Sequence, residues 1–407
     1  MSASSSALRP GALRGLRVLE LGQFLAGPFC GFMLAGFGAE VIKVEPPGDG
    51  DPLRRWRAMD GDTSLWWRSL ARDKRCITCN LKHPEGRALL RRLLASGVDI
   101  VIENFRPGVM ERWGLGYEDL RAIDPRIVLV RISGFGQTGP LAARPGFANI
   151  AEAFGGLRYV TGVPGGPPMR CGVSLADSLA GLHAAYGALA AIHERDVVGS
   201  GEGQVVDVAL YEAVLNMMES LLPEADLLGH VRQPSGSSIP GVVPSNSYRC
   251  RDGRFIAIGA NSVRTWEALM RCVGRADMAD DPSLRHNDGR VPRQAEIDAA
   301  IEAWTSAQEA DAALVGLEAA GVPASAILDA RQLLEHPHVQ ARGMTPDLPL
   351  PDGRRLRVPG CVPTLSRTPP HSARLGPALG ADNEVVYGER LGLAPEDVAD
   401  LRTRGVL

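Results

Sequence analysis

An aspartate one turn inside a helix start has the makings of a covalent catalyst. Asp177 stands in Arg170-Cys-Gly-Val-Ser-Leu-Ala-Asp177-Ser-Leu-Ala-Gly-Leu-His-Ala-Ala-Tyr-Gly187. The chain before it is rich in glycine and proline, and the helix behind it is built of small residues, which let backbones and a large ligand come close. The positive end of a helix favours a charged carboxylate. A carboxylate kept ionised and away from water can act as a nucleophile. The same spacing has a structural alternative. Ser174-Leu-Ala-Asp177 fits the Ser-x-x-acid pattern of a capping box, in which the acid only closes its own helix.

Other residues suggest partners for such a centre. Three basic places could hold phosphates: Arg54/Arg55/Arg57, the run Arg72-Asp-Lys74-Arg75, and Arg106 in Asn104-Phe105-Arg106-Pro-Gly108. Arg106 is the best placed, directly after an apolar strand and fixed between Phe105 and Pro107. Cys76-Ile-Thr-Cys79 is half of a zinc pattern whose second half is missing, so buried thiols are expected there and no metal site. Gly22 and Gly27 lack the G-x-G-x-x-G spacing of a dinucleotide site, and Glu45 alone does not make one.

These residues must be positioned by strands and helices. Arg17–Leu21 and Glu40–Val44 read as strands around an apolar helix at Phe29–Ala39. A helix at His83–Ser96 and strands at Val98–Ile102 and Ile127–Arg131 continue the alternation. Strand–helix alternation predicts an α/β fold with a parallel sheet covered on both faces. Ligands bind such sheets beyond the carboxyl ends of the strands. The loops at 22–28, 104–108 and 133–140 all fall there, which adds Gly134 to the candidate binding residues. Helices are expected at 147–157, 174–194 and 211–228, with a strand at 204–210. After a Pro/Ser/Gly-rich linker at 230–247, an Asp252-Gly253 hairpin and three helices predict a smaller α+β domain.

The chain has 407 residues, 45% of them hydrophobic, and a formal net charge of -3. That size favours two domains, and the charge argues against a nucleic-acid binder. No run of about 18 apolar residues is evident, so no membrane span is expected. Residues 1–10 lack an apolar core and read as a tail. With seven scattered cysteines this predicts reduced thiols and a cytoplasmic protein.

Five motifs in order strongly resemble the family III CoA-transferases, the group of formyl-CoA transferase, carnitine CoA-transferase and α-methylacyl-CoA racemase. They are Gly22-Gln23-Phe-Leu-Ala-Gly27-Pro28, Glu40-Val-Ile-Lys-Val-Glu45-Pro-Pro-Gly48, Glu103-Asn-Phe-Arg-Pro-Gly108, Ser133-Gly-Phe-Gly-Gln-Thr-Gly-Pro140 and Leu175-Ala-Asp177. The likeness runs through the closing Leu401-Arg-Thr-Arg-Gly-Val-Leu407. It implies an interlocked homodimer and a Rossmann-like large domain split by the smaller one: 1–229 and 334–407 against 248–333. It implies coenzyme A or its thioesters as substrate and no permanently bound cofactor. Asp177 would be the nucleophile and Gln23 its hydrogen-bonding neighbour. CoA would contact Arg72, Lys74, Arg75, Asn104, Phe105, Arg106 and Gly134. Gly259-Ala-Asn-Ser262 matches a mobile glycine loop of the family but keeps one glycine.

Two rivals stand beside a transferase. A racemase needs an acid and a base on opposite faces of the α-carbon, which the family's racemases take from a Gly-His-Asp motif. The matching stretch here is Gly146-Phe147-Ala148, and phenylalanine moves no proton. His183 and His193 are expected to pack. The other rival is a CoA-binding protein without catalysis, against which Asp177 argues. The stretch from Arg144 and the following Arg158-Tyr-Val-Thr-Gly162 look like members that pair succinyl-CoA with small dicarboxylic acids. A distal carboxylate would need a further cation, for which Arg158 and Arg170 are the sequence neighbours.

Overall fold

The computed structural model describes residues 11–407. Six parallel strands form its main sheet: β1 (Arg17–Glu20), β2 (Glu40–Glu45), β3 (Arg75–Thr78), β4 (Ile100–Glu103), β5 (Val128–Ser133) and β6 (Val205–Ala209), in the order β3-β2-β1-β4-β5-β6. Alternation along each strand sends side chains to opposite faces. Val18, Ile100, Ile102, Val128 and Val130 enter one core, with α1 (Ala26–Gly36), α4 (Ala148–Phe154) and α5 (Leu175–His193). Leu19, Val101 and Leu129 enter the other, with α3 (Pro84–Ala95). The short α2 (Leu65–Leu70) belongs to a satellite cluster around Trp67 and Leu53.

The second face is completed from far along the chain. Val386, Tyr387, Val398 and Leu401, on the helices Asn383–Leu391 and Pro395–Thr403, join that core. Their lead-in also blunts the edge strand β3. Asp382 accepts from Cys76 N at 2.7 Å, and Asn383 accepts from Thr78 N at 2.8 Å. An edge strand left open invites pairing with other chains.

The chain divides into two compact units. One holds the described chain through Leu157, with Cys171–Glu219 and Pro337–Leu407; the other holds Arg158–Arg170 and Ser220–His336. Residues 158–170 and 220–229, expected in the large domain, thus belong to the smaller unit, as does the expected linker at 230–247. The smaller unit has a three-stranded antiparallel sheet of β7 (Ser245–Arg249), β8 (Phe255–Gly259) and β9 (Ala324–Ala326), in the order β9-β8-β7. It packs against α6 (Val263–Cys272), α7 (Gln294–Thr305) and α8 (Ala310–Ala319), around Tyr248, Trp266, Ile297 and Leu317.

The helix Leu175–Val198 is long and apolar enough by composition to cross a membrane, with a mean hydropathy of 1.3. Its apolarity has a local reason: Ala176, Ala180, Ala184, Ala188 and Ala191 form a buried stripe in the core of the large unit.

Candidate active site

The strand order reverses between β1 and β4, and a sheet of this kind offers a crevice at that switch point. Gln23 follows β1 and Asn104 follows β4. The two are tied: Gln23 N donates to Asn104 Oδ1 at 2.7 Å, and Asn104 Nδ2 donates to Gln23 O at 2.8 Å. Gly22 and Gly27 make room for this. A Cβ on either would lie 3.1 Å from the other's Cα, and one on Gly22 would lie 3.2 Å from Asn104 Oδ1. The glycine pair therefore serves a side-chain clamp.

Buried charge holds the same loop from below. Lys43 donates to Gly22 O and to Asp51 at 2.8 Å, and lies 3.3 Å from Glu20. Asp51 accepts from Phe24 N at 3.1 Å. Lys74 closes the chain on Glu20 at 2.7 Å and on Pro28 O at 2.7 Å. All four side chains are buried. Burial alone would lower the Lys43 pKa, but Asp51, Glu20 and Glu45 hold it above the ordinary lysine value; burial lowers that of Lys74. The packing is tight: a methyl group on Gly31 would collide with Glu20 Oε2. Phe24, so fixed, adopts a left-handed φ of 62°, a conformation kept by a non-glycine residue only where its surroundings impose it.

Asn104 is itself braced. Glu103 accepts from Phe105 N and from Arg131 Nε, both at 2.7 Å, and Arg131 also reaches Glu111 at 2.6 Å. Burial raises the Glu103 pKa to about 7 against the pull of Arg131.

The basic residues separate sharply. Lys74 is spent on Glu20. Arg72 is buried, donating to Ser69 O at 2.6 Å and Pro359 O at 2.7 Å beneath Phe32. Neither forms the surface phosphate patch expected of the 72–75 run, because in a parallel sheet the partner of a buried cation comes from a distant strand. Arg75 is half-buried against Glu389 at 2.7 Å. Phe105 packs edge-on to Trp113, with centroids 5.2 Å apart, while Arg106 beside it is exposed. Gly134 touches another loop: a Cβ there would lie 2.7 Å from Gly146 Cα. Cys76 and Cys79 are buried thiols, and burial raises Cys79 to about 12.

Asp177 is half-buried in the first turn of α5. The Ser174 side chain makes no cap hydrogen bond, so the serine half of a capping box is not formed. Gly181, one turn on, packs against the first turn of α1: its Cβ would lie 2.7 Å from Ala26 O and 3.0 Å from Phe29 Cβ. The helix led by Gln23 and the helix that opens on Asp177 thus touch backbone to backbone. His183 is anchored by Leu179 O at 2.8 Å and Asn216 at 3.2 Å.

In the smaller unit, the 259–262 stretch is tied down. Arg290 donates to Asn261 O at 3.0 Å and Ala260 O at 3.4 Å, and Ser262 caps α6. Arg158 and Arg170 lie in that unit's 158–170 segment.

Residues 13–383 match the model of CoA-transferase family III. The chain belongs to that family. Among family III relatives, the succinyl-CoA–D-citramalate CoA-transferase of Chloroflexus aurantiacus is 48% identical over 404 residues, covering 99% of this chain and 100% of its own. The succinate–glutarate CoA-transferase of Agrobacterium fabrum is 34% identical, covering 93% and 95%. A CAIB/BAIF family protein from Brucella suis superposes with a TM-score of 0.83 at 31% identity, over 94% of this chain and 100% of the other. This family III enzyme therefore shares the family's mixed α/β fold with a parallel central sheet. Glu20, Lys43 and Asp51, which hold its Gln23 loop, were missed as site residues by sequence reasoning. For Glu20 and Lys43 the available signal was a charge inside an apolar strand; Asp51, at a helix cap, carried none.

Proposed function

We infer that the enzyme moves CoA from an acyl-CoA donor, succinyl-CoA by analogy with its relatives, to a small dicarboxylic acid. Asp177 is the nucleophile. Its carboxylate attacks the donor thioester; the C–S bond breaks, CoA leaves as thiolate and an aspartyl–acyl anhydride forms. The thiolate attacks the aspartyl carbonyl, giving an aspartyl-CoA thioester and releasing the donor acid. The acceptor carboxylate attacks that thioester and expels the thiolate, forming a second anhydride. The thiolate then takes the acceptor acyl group and restores Asp177. A carboxylate suits this because its anhydride is about as activated as the thioester. Gln23 positions the nucleophile, and N–H groups of the glycine loops stabilise the tetrahedral oxyanions. CoA is substrate, reached from Asn104–Arg106 and Gly134.

The observation that carries this reading is the close packing of the helix that bears Asp177 in its first turn against the helix that Gln23 leads into. Strand order β3-β2-β1-β4-β5-β6 supports a Rossmann-like large domain. The exposed Leu182, Tyr186 and Leu189 on α5 and Ile150 and Phe154 on α4 support burial in a homodimer. Seven free thiols fit a cytoplasmic setting. Phe147 at the racemase histidine position disfavours proton transfer.

The test is trapping. Incubation with succinyl-CoA and quenching with hydroxylamine or borohydride should modify Asp177, read by mass spectrometry. Exchange of solvent deuterium into the acyl α-position without an added acid would instead support a racemase.

A further inference from the structure

Beside the Gln23 loop lies a row of aromatic rings. Phe24 and Trp56 have centroids 5.0 Å apart, Trp56 and Trp66 6.3 Å, and Phe24 meets Phe147 edge-on at 6.3 Å. Trp56 is 41% exposed and Phe147 63%, so the row is an open apolar wall. At its far end the Arg57 guanidinium lies 4.2 Å from the centroid of the Trp66 ring.

Arg57 differs from its neighbours. Arg54 is bound to Glu45 at 2.7 Å and Arg55 to Asp49 at 2.8 Å. Arg57 makes no ion pair or hydrogen bond among the described residues and is exposed. Its backbone is nonetheless fixed in the left-handed region, with φ 60°. The cause is a clamp from both sides. Trp56 O accepts from Ser64 Oγ at 2.6 Å, and Ala58 O accepts from Leu65 N at 3.0 Å. Ser64 caps the helix that carries Trp66, so one helix start both bends the backbone at Arg57 and supplies its ring. Among the described residues, Phe24 and Arg57 are two of the four non-glycine residues with positive φ, and both belong to this row. Strain of this kind gathers at ligand clamps.

We propose that Arg57, shelved on Trp66, reads the distal carboxylate of the dicarboxylic substrate, and that Trp56 and Phe24 carry its methylene chain toward Gln23. An unpaired guanidinium presents a planar fork that matches a carboxylate bidentately, and stacking on a ring keeps that fork oriented. The proposal rests on the transferase reading above. It replaces Arg158 and Arg170 as the expected cation with one on the same unit as Gln23.

The experiment compares acceptors with succinyl-CoA held as donor. In the ping-pong scheme, kcat/KM for the acceptor reports only the half-reaction on the aspartyl-CoA thioester, so the ratio between two acids isolates the acceptor site. Arg57→Gln should lower kcat/KM for glutarate roughly 10- to 100-fold, through KM, and leave butyrate within about two-fold. Arg57→Lys, with its charge but no fork, should fall between. Inhibition of the glutarate reaction by adipate and by butyrate reads acid binding without needing turnover of either; Arg57→Gln should weaken only the diacid. Equal loss for both acids, or an unchanged ratio, overturns the assignment to Arg57. Failure of the wild-type enzyme to transfer CoA to any acid would instead remove the transferase reading.

Discussion

The loop carrying Gln23 and the turn carrying Asp177 are built by opposite means. The first is immobilised by polar side chains: Asn104 grips Gln23 on both backbone groups, Asp51 holds Phe24, and Lys43 holds Gly22. The second rests on small residues, with Ala176 and Ala180 buried and Gly181 against α1, and its cap left unused. The difference follows from what each must do. On the proposed mechanism, a group that orients must stay still through four acyl transfers. On the same mechanism, a group that reacts needs close approach by a large substrate, which small neighbours allow.

Asp177→Ala should break the comparison on the reactive side alone. Transfer should fall by at least about 10⁴-fold, as when a covalent nucleophile is removed, while the thermal midpoint stays within a few degrees of wild type. A large drop in midpoint would show the turn to be structural after all. Lys43→Met tests the other side. It leaves Glu20 and Asp51 short of a buried partner, and breaking such a pair destabilises by about 3–5 kcal/mol; denaturant unfolding measures it. A loss under about 1 kcal/mol would mean the network does not hold the loop.

Asn104→Ala sharpens the contrast. It removes two hydrogen bonds to Gln23, worth roughly 2 kcal/mol in stability. Activity should fall by about 10- to 100-fold in kcat, more than that stability loss explains, with substrate KM little changed. The smallest effect is in pH. Glu103 has a folded pKa raised to about 7 from its ordinary value near 4.5. The folded state therefore binds the proton more tightly than the unfolded one. Its contribution favours folding most below about 4.5 and is lost as pH rises through about 7. Glu103→Gln should flatten the stability profile in that window by about 1–2 kcal/mol; an unchanged profile would show that Arg131 keeps Glu103 ionised throughout.

The sequence made the sheet legible because alternation of apolar strands and helices is local. Gln23, Asn104 and Asp177 enter as candidates through motif order. What stayed hidden depended on distant partners. Arg72-Asp-Lys74-Arg75 reads as a surface cluster until Glu20, more than fifty residues earlier, is found beneath it. Ser174-x-x-Asp177 satisfies a capping pattern by spacing, but Ser174 has a backbone ψ of 74° and makes no cap hydrogen bond. The division between units at 157/158 and 219/220 went unseen because the Gly/Pro-rich stretch at 162–168 reads equally well as the lead-in to the Asp177 helix.

The helices after residue 383 have a consequence for how the protein is made. They seal a face whose strands β1 to β5 were synthesised at residues 17–133. On the ribosome those strands must wait, one greasy side only partly covered by α3, while the whole smaller unit emerges between them and the rest of their cover. Pairings so remote in sequence close slowly and leave a nascent chain open to association. Truncation before Asn383 should therefore yield aggregated protein rather than a trimmed enzyme.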